Sequence, residues 1–487
     1  MVSRTVRCAC LLTLGALTQA ALAQETLWVR RLDLGADEIA NGIASRGNTI
    51  VAAGYRAEAG TGDLLVVRLS QSGDTLWTRT LDFGPDDYAI DASIDREDNV
   101  LVVGYSVVYA GRCPRPSPWR WREFWPPLAK DQQFFALTAK FDSAGGLKWQ
   151  RVDTNHLAMG IATDSAGNCY VSGTYYDGAV FDLWLAKLNP SGETIWTRRL
   201  DLAPLELGYR LALDASGNIV VALYFGDFAN LDCGAIKLSP DGETLWTRMC
   251  DLNTEDRGIG IATDHESNAI VTGFTGNAGV YDFLVLKFDS AGTLVWQKSF
   301  DQDEDDEALG VACDSAGNSY VTGITGSFMQ YDCWTMKLNP AGETLWTTTY
   351  GGSADDEAAD VACDSAGNPI IVGTITDTVI YYYDLLAIKY QPFVGIAEPR
   401  PTNHDPRTTT SSTITATPDI ILSVPLSGHY NIKLCDLYGA VRQEIYSGQL
   451  TQSTHRFSLE ELPAGLYFIR VAMPDGRISG TRLILVK

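Results

Sequence analysis

Short runs of apolar and β-branched residues recur between residues 25 and 391. One copy contains such runs at 269–273 and 282–288, each bounded by Asp, Asn or Gly. Runs of this length with these boundaries are typical of β-strands joined by tight turns. Each copy is therefore predicted to hold four strands: one that ends near Asp264, two at these runs, and one around Trp296.

Three markers count the copies, and each marker occurs seven times. The last three gaps between the marker tryptophans are 50 residues each. Four strands in about 50 residues are the signature of one propeller blade, and such rings usually hold four to eight blades. The markers are Trp28, Trp77, Trp149, Trp196, Trp246, Trp296 and Trp346; Asn48, Asn99, Asn168, Asn218, Asn268, Asn318 and Asn368; and Arg68, Lys140, Lys187, Lys237, Lys287, Lys337 and Lys389.

The two ends of the repeat predict a closed ring. The seventh copy stops after the run at 384–389 and lacks its tryptophan strand, whereas a tryptophan strand without a copy of its own surrounds Trp28. An N-terminal strand that completes the last blade would remove the free edges of the sheets. We therefore predict an all-β protein with a seven-bladed β-propeller over residues 25–391.

Two short motifs link the copies to a known family. Asp364-Ser365-Ala366-Gly367-Asn368 is followed by Val372-Gly373, and Gly342-Glu343 is followed by Thr344-Leu345-Trp346. With these motifs the copies resemble the bacterial seven-bladed β-propeller repeat family. The resemblance implies the fold, but it says little about function because propellers host many activities.

The chain changes character after the propeller. Residues 392–418 are rich in Pro, Thr and Ser and are predicted to be a linker. Alternating strands and turns return over 419–487, which predicts a small β-sandwich.

The last segment carries three further motifs, Asp436–Gly439, Leu462–Tyr467 and Leu483–Lys487. With them it is similar to the C-terminal sorting domain of the type IX secretion system, which implies export by that machinery. The Asn-Pro pairs expected at the start of such a domain are replaced here by Asn403-His404-Asp405-Pro406. An ordinary accessory sandwich is the alternative.

The N-terminus indicates export. Arg4 and Arg7 precede an apolar run at 11–17, and Ala21-Leu22-Ala23 forms a small-residue cleavage site. This arrangement predicts a secretory signal peptide over residues 1–23 and a secreted or surface-attached protein. No later segment is long and apolar enough for a transmembrane helix.

Composition narrows the function classes. The 60 acidic residues outnumber the 37 basic residues, and a net charge of −23 repels nucleic acid and anionic membranes. With five histidines and no Cys-x-x-Cys motif, no zinc site is expected, and we expect no cofactor. Cys233 and Cys250 stand nearly opposite each other across a predicted hairpin, and we expect two unpaired thiols there.

The repeated residues are expected to build the blades. A residue that recurs in every copy is usually part of the core, so the tryptophans are predicted to pack between neighbouring blades. Each base is followed by an acid six residues later in most copies, as in Lys187 and Glu193, and the two are predicted to pair across the hairpin.

One insertion departs from the repeat. The second copy carries 22 additional residues around 112–130, with five Pro, three Trp, one Phe and a net charge of +4. Trp and Arg are enriched at binding hot spots, so this loop is a candidate site for a glycan or protein ligand. A loop folded over the propeller's own surface is an equal alternative. The candidate residues are Arg115, Trp119, Arg120, Trp121, Arg122 and Trp125.

A run of acids offers a weaker candidate. Six of the seven residues from Asp301 to Glu307 are acidic, and Ca²⁺ prefers several carboxylate oxygens on a short loop. The alternative is a set of solvated acids at a blade junction. The candidate ligands are Asp301, Asp303, Asp305 and Asp306.

No arrangement of residues typical of catalysis is found. We therefore expect a monomeric, non-catalytic binding or structural module. The alternative is a secreted enzyme that cleaves glycans, with Asp303 or Asp306 near the mouth of the ring.

Overall fold

The protein consists of β-strands and turns, without a helix, in the residues that the structure describes. The computed structural model describes residues 26–108 and 133–391, apart from 59–60, 85, 179, 228–229, 253, 278–279, 303–304, 328–329, 353 and 377–382; it also describes the strands at 10–13 and between 413 and 485. The chain divides into two units, Ala21–Pro392 and the combination of Met1–Ala20 with Phe393–Lys487.

The first unit contains seven antiparallel sheets of four strands, which we number as blades 1 to 7. This confirms the seven-bladed propeller. The strands are Asp37–Arg46, Thr49–Glu58, Thr61–Ser70 and Thr75–Leu81 in blade 1; Asp87–Ile94, Val100–Val108, Gln133–Phe141 and Leu147–Thr154 in blade 2; His156–Thr163, Cys169–Tyr176, Phe181–Leu188 and Thr194–Leu200 in blade 3; Leu205–Leu213, Ile219–Asp227, Asn230–Leu238 and Thr244–Cys250 in blade 4; Glu255–Thr263, Ala269–Asn277, Val280–Phe288 and Leu294–Phe300 in blade 5; Asp305–Cys313, Ser319–Ser327, Gln330–Leu338 and Thr344–Tyr350 in blade 6; and Asp356–Cys363, Pro369–Thr376, Tyr383–Tyr390 and Thr26–Leu32 in blade 7.

The ring is closed by the N-terminal strand. Thr26–Leu32 pairs antiparallel with Tyr383–Tyr390, and Trp28 lies opposite Lys389. The first strand of each blade contacts the first strand of the next blade, and the first strand of blade 7 contacts that of blade 1. These first strands therefore surround a central channel, and the predicted closure is confirmed.

Six of the seven marker tryptophans join their blade to the next one by a hydrogen bond. The indole N–H of Trp296 donates a hydrogen bond to the Pro340 carbonyl oxygen at 3.0 Å, in the hairpin of blade 6. Gly342 of that hairpin has a φ of +78°, and a Cβ atom there would lie 3.0 Å from the Trp296 ring. The tryptophans thus lie between blades, as predicted. Equivalent bonds join Trp28 to Gln71, Trp77 to Ser143, Trp149 to Pro190, Trp196 to Pro240 and Trp246 to Ser290.

Trp346 is the exception among the seven. It is fully buried and lies near Tyr320 and Tyr390. Its indole N–H has no hydrogen-bond partner among the described residues. Blade 7 has no hairpin between its third and fourth strands because the N-terminus supplies the fourth strand.

The repeated base has a different partner from the one predicted. The Lys287 ammonium lies 3.0 Å from Asp264 Oδ2, in the turn between the first two strands, and Asn268 Nδ2 donates to the same oxygen at 2.8 Å. Burial alone would raise the pKa of Asp264, but these hydrogen bonds lower it below its usual value. Corresponding ion pairs are Lys140 with Asp95, Lys237 with Asp214, Lys337 with Asp314 and Lys389 with Asp364.

The predicted pairing of the base with the acid six residues later is wrong. The hairpin register places Lys187 opposite Trp196, with a bulge before the turn. Glu193 is exposed and accepts a hydrogen bond from Asn189 Nδ2 at 2.7 Å. The same hairpin in blade 4 places Cys233 directly opposite Cys250, and both thiols are free.

The second unit contains two sheets. One has three strands, Cys10–Thr13, Asp419–Ser423 and Thr454–Ser458, and the first two of these pair in parallel. The motif residues at 437–439, 462–464 and 486–487 lie outside the described part of the chain. The other sheet has five strands in the order Thr413–Ile414, Ile478–Leu485, Gly465–Ala472, Gly428–Asp436 and Val441–Leu450.

Candidate functional site

A cavity occupies the central channel of the propeller. The cavity is narrow, with a volume of about 80 Å³ open to the centre of a water molecule. The same repeat position on the first strand of every blade contributes one lining residue, and these seven residues differ in size and polarity. They are Asn41, Ile90, Met159, Tyr209, Ile259, Leu309 and Ala359.

The next residue along each first strand is glycine in four blades and charged in the other three. A Cβ atom at Gly42 would lie 2.4 Å from the Ile90 carbonyl oxygen, and one at Gly260 would lie 2.8 Å from the Leu309 carbonyl oxygen. Glycine therefore allows neighbouring first strands to approach closely. The four glycines are Gly42, Gly160, Gly260 and Gly310, and the charged residues are Asp91, Arg210 and Asp360.

The three charged residues meet across the channel, and we call them the axial triad. Arg210 Nη1 on blade 4 lies 2.7 Å from Asp360 Oδ2 on blade 7 and 3.1 Å from Asp91 Oδ1 on blade 2. Its Nη2 donates to the carbonyl oxygen of Asn41 on blade 1. The triad thus ties four blades together, and Arg210 also lines the cavity.

Backbone amides complete the environment of the two axial carboxylates. The amide of Ile161 donates to Asp91 Oδ2 at 2.9 Å, and the amide of Ile43 donates to Asp360 Oδ2 at 3.0 Å. Both carboxylates are buried, with 6% and 5% of their surface exposed. Burial raises the pKa of Asp91 to about 7. The attraction of Arg210 offsets the effect of burial only in part, and the nearby carboxylate of Asp360 raises the pKa further. The pKa of Asp360 is also raised by burial, against the effect of Arg210.

The position two residues before the ring-lining one divides the blades into two unlike halves. On blades 5 to 7, the position two residues before the ring-lining one carries Arg257, Glu307 and Glu357, and all three line the cavity. On blades 1 to 4 the equivalent residues are apolar or aromatic and belong to one large buried cluster. We call these the charged half and the apolar half. The equivalent residues of the apolar half are Ile39, Tyr88, Leu157 and Leu207.

Arg257 is held by its neighbours in the charged half. Its guanidinium group forms an ion pair with Glu255 and lies 5.6 Å from the ring centre of Tyr224 and 5.4 Å from that of Phe274. These distances are within the range of cation–π interactions. The aromatic rings at this mouth therefore already stabilise one cation.

The candidate ligand loop lies outside the described residues, which end at 108 and resume at 133. This applies to Arg115, Trp119, Arg120, Trp121, Arg122 and Trp125. At its two ends, the Val107 amide donates to the Asp86 carbonyl oxygen at 3.1 Å, and the Asn155 amide donates to the Phe134 carbonyl oxygen at 2.8 Å. Val107 and Phe134 belong to the same buried cluster as the apolar half. The described strands on either side of the loop therefore end in the cluster that contains the apolar half.

The calcium candidates are only partly described. Asp303 lies outside the described residues, Asp301 is exposed, and Asp305 Oδ2 accepts a hydrogen bond from the Tyr331 hydroxyl group at 2.9 Å. Asp306 is fully buried, and its Oδ2 accepts a hydrogen bond from the Gln302 amide at 2.7 Å. Asp306 thus fixes the connection between blades 5 and 6, and the calcium site stays a prediction.

Three other groups of acids could hold a cation, among the residues that the structure describes. In each group the oxygen atoms lie within 4.8 Å of one another. One buried member of each group accepts amide hydrogen bonds, as Glu206 does from Leu202 and Ala203, and burial raises the pKa of Glu206 to about 7. Fixing a blade connection is therefore one role of these carboxylates. The groups are Asp33, Glu38 and Asp384; Asp182, Asp201 and Glu206; and Asp232, Asp251 and Asp256.

Sequence reasoning missed the axial triad. Its signal is visible in the aligned copies: one position is glycine in four copies and aspartate or arginine in three. Glycine recurs at this position because neighbouring strands approach closely, so a charged residue there indicates a role specific to that blade.

The described chain contains no helix long and apolar enough to cross a membrane.

Comparisons with known proteins concern the fold alone. No protein-family model and no curated protein matches the chain. The Dos1 propeller aligns at 8% identity with a TM-score of 0.43, covering 72% of this chain and 78% of its own. A polysaccharide lyase, an ulvan lyase, aligns at 11% identity with a TM-score of 0.46, covering 74% and 95%. A puromycin hydrolase aligns at 14% identity with a TM-score of 0.41, covering 75% and 55%.

Proposed function

We propose that the protein is an exported, non-catalytic binding module whose ligand site is the cavity in the central channel. One observation carries this proposal: the perimeter contacts are nearly the same in every blade, whereas the channel residues differ from blade to blade. A concave, largely apolar cavity with a few convergent polar groups is the usual form of a ligand site.

The hydrogen bonds that hold the two axial carboxylates favour binding of a ligand rather than its chemical turnover. Asp91 and Asp360 are both engaged by Arg210 and by backbone amides. These contacts fix the two groups in place and cross the channel, so the triad acts as a floor under a ligand. Of the acids of the glycan-cleaving alternative, Asp306 fixes a blade connection, and Asp303 lies outside the described residues.

Export through a type IX-like route and attachment to the cell surface are part of the same proposal. They rest on the signal-peptide pattern and on the tail motifs. The strands that flank the basic, aromatic loop at 112–130 end in the same buried cluster as the apolar half, and we propose that the loop contributes to binding a glycan or a protein at the cell surface.

The proposal can be tested by a large side chain on blade 7 that fills the cavity. The other blades accommodate residues as large as Tyr209 and Leu309 at this position, so the Ala359→Trp variant should fold and block the site. Ligands found with the parent on a glycan array and on cell-surface extracts should no longer bind. Ala366→Trp, in an exposed turn of the same blade, is the control and should bind like the parent.

Two outcomes would contradict the proposal. Unchanged binding by a folded Ala359→Trp variant would mean that the cavity is not the site. Product formation from any glycan that binds would mean that the protein is an enzyme. Thermal unfolding of both variants shows whether the ring is intact.

A further inference from the structure

We propose that the junction between blades 3 and 4 binds a calcium ion through Asp182, Asp201 and Glu206. This inference goes beyond the proposed binding function, because none of these three residues lines the channel cavity. The site also differs from the one that the sequence predicts at 301–307. The inference rests on the spacing of the oxygens, on one buried oxygen without a partner and on the charge of the group.

The three carboxylates come from three parts of the chain. Asp182 lies on the third strand of blade 3, Asp201 lies in the connection between the blades, and Glu206 lies on the first strand of blade 4. One oxygen of each residue lies within 4.8 Å of the others. Oxygens that bind one Ca²⁺ at about 2.3–2.6 Å are no more than ~5 Å apart. A single ion can therefore contact all three carboxylates.

Glu206 carries a buried oxygen without a partner. Its side chain is fully buried, and Oε1 accepts hydrogen bonds from the Leu202 and Ala203 amides, which fixes the blade connection. Its Oε2 has no hydrogen-bond partner among the described residues. A buried carboxylate is costly unless its oxygens are contacted by donors or by a metal ion. Oε2 therefore needs a partner from outside the chain.

The equivalent acids of blades 1 and 5 have both oxygens satisfied within the chain. The second oxygen of Glu38 accepts a hydrogen bond from the Ala36 amide at 3.2 Å, and that of Asp256 accepts one from the Thr254 hydroxyl group at 2.9 Å. Both donors lie two positions before the acid. The same position in blade 4 is Pro204, which has neither an N–H nor a hydroxyl group. The sequence of this connection thus leaves one oxygen of its acid open to a cation.

The charge of the group matches a divalent cation. Arg199 forms an ion pair with Asp182, whereas Asp201 and Glu206 have no ion pair among the described residues. Two negative charges are therefore left uncompensated. The donor atoms are all oxygens, which Ca²⁺ prefers, and Asp201 is exposed, so water can complete a shell of about six to eight ligands.

A bound ion would stabilise the folded ring. The three carboxylates come together only when blades 3 and 4 have both formed, so the ion binds the folded state and not the unfolded chain. CaCl₂ should therefore raise the melting temperature of the full chain, and a chelator should reverse the effect.

Titration calorimetry of the full chain with CaCl₂ tests the site directly. In about 0.1 M KCl, which screens exposed acids, the dissociation constant should lie at about 10⁻⁴–10⁻³ M, as in extracellular calcium modules. Asp201→Asn should lower the affinity at least tenfold, and it should fold because Asp201 is exposed. Asp251→Asn and Asp301→Asn are matched controls, since both acids are exposed at the same repeat position of the next two connections, and both should bind like the parent.

Pro204→Ala tests the role of the unpartnered oxygen without a change in charge. Alanine at this position supplies the amide that Ala36 supplies to Glu38 in blade 1. The new donor should occupy Oε2 of Glu206 and lower the affinity for Ca²⁺. The increase in melting temperature with CaCl₂ should become smaller in the same variant.

Three results would overturn the proposal. These are the absence of saturable Ca²⁺ binding, parent-like affinity in Asp201→Asn or in Pro204→Ala, and a loss in Asp251→Asn or Asp301→Asn as large as that in Asp201→Asn. The last result would place the ion at another junction. None of them bears on the channel cavity, which Ala359→Trp tests separately.

Discussion

The perimeter and the axis of this propeller follow opposite rules. At the perimeter, the same tryptophan, base and glycine recur, and six indole groups donate to the same place in the next blade. At the axis, one position is glycine in four blades and Asp91, Arg210 or Asp360 in the other three. The repeated residues build the ring, and the residues that depart from the repeat determine the shape and charge of its central channel.

The electrostatics of the two regions differ in the same way. A perimeter aspartate such as Asp364 has a lowered pKa because hydrogen bonds from Lys389 and Asn368 outweigh its burial. An axial aspartate has a raised pKa because burial and a second carboxylate outweigh Arg210. The perimeter thus stabilises its charges locally within each blade, whereas the axis balances charges that come from several blades.

The largest effect is expected from removal of the strand that closes the perimeter. Deletion of residues 26–32 would leave the edge of Tyr383–Tyr390 unpaired, and the ring should lose its cooperative unfolding transition. Thermal unfolding followed by circular dichroism measures this. Truncation after residue 392 is the control and should leave the propeller transition in place, because the tail belongs to the other unit. A deletion variant that melts like the parent would contradict the closed ring.

The next effect concerns the axis. Arg210→Met removes the only guanidinium group of the axial triad, and loss of one partner of a buried ion pair costs about 3–5 kcal/mol. Denaturant unfolding at pH 7.5 should show this loss. Combining Arg210→Met with Asp91→Asn and Asp360→Asn should recover part of it, because no charge is then left unpaired. If the triple variant is less stable than the single one, the triad contributes by shape rather than by charge.

The smallest effect is a contrast in pH dependence. The raised pKa of Asp91, about 7, means that the folded state binds its proton more tightly than the unfolded chain, whose value is about 3.9. The contribution of Asp91 to stability therefore falls as pH rises from about 4 to 7. As pH rises from about 4 to 7, the free energy of unfolding of Asp91→Asn should therefore increase relative to that of the parent.

Asp364→Asn is the matched perimeter variant, and its trend should be opposite in sign. Because the folded pKa of Asp364 is lowered, its contribution is present above about pH 4 and is lost as pH falls below that value. This variant should be less stable than the parent at pH 7 and approach it in acid. Melting temperatures across pH 3–8 measure both trends, and parallel curves would show that the two regions do not differ electrostatically.

The perimeter could be predicted from the sequence because its residues recur at fixed spacing. Trp28 and Trp346 mark both the number of blades and the place of closure, and this needs only counting. The partner of Lys187 could not be predicted in the same way, since the bulge in its hairpin shifts the register and places it opposite Trp196. A single inserted residue is enough to exchange one neighbour for another.

The axial triad could not be predicted by spacing at all. Arg210 is 119 positions from Asp91 and 150 positions from Asp360, and they meet only because three bulged strands point into one channel. The aligned copies contain the signal, but its meaning depends on the closed ring. The loop at 112–130 stays a prediction, because its residues lie outside the described part of the chain.

The closing strand also has a consequence for the order of folding. Arg31 and Asp384 form an ion pair between residues that are 353 positions apart. During synthesis the strand Thr26–Leu32 emerges early, yet its partner emerges only after the other blades. Contacts between residues so far apart in sequence carry a large entropic cost of loop closure, and they form slowly. The ring therefore stays open until the seventh blade is made, and assembly of the blades precedes closure.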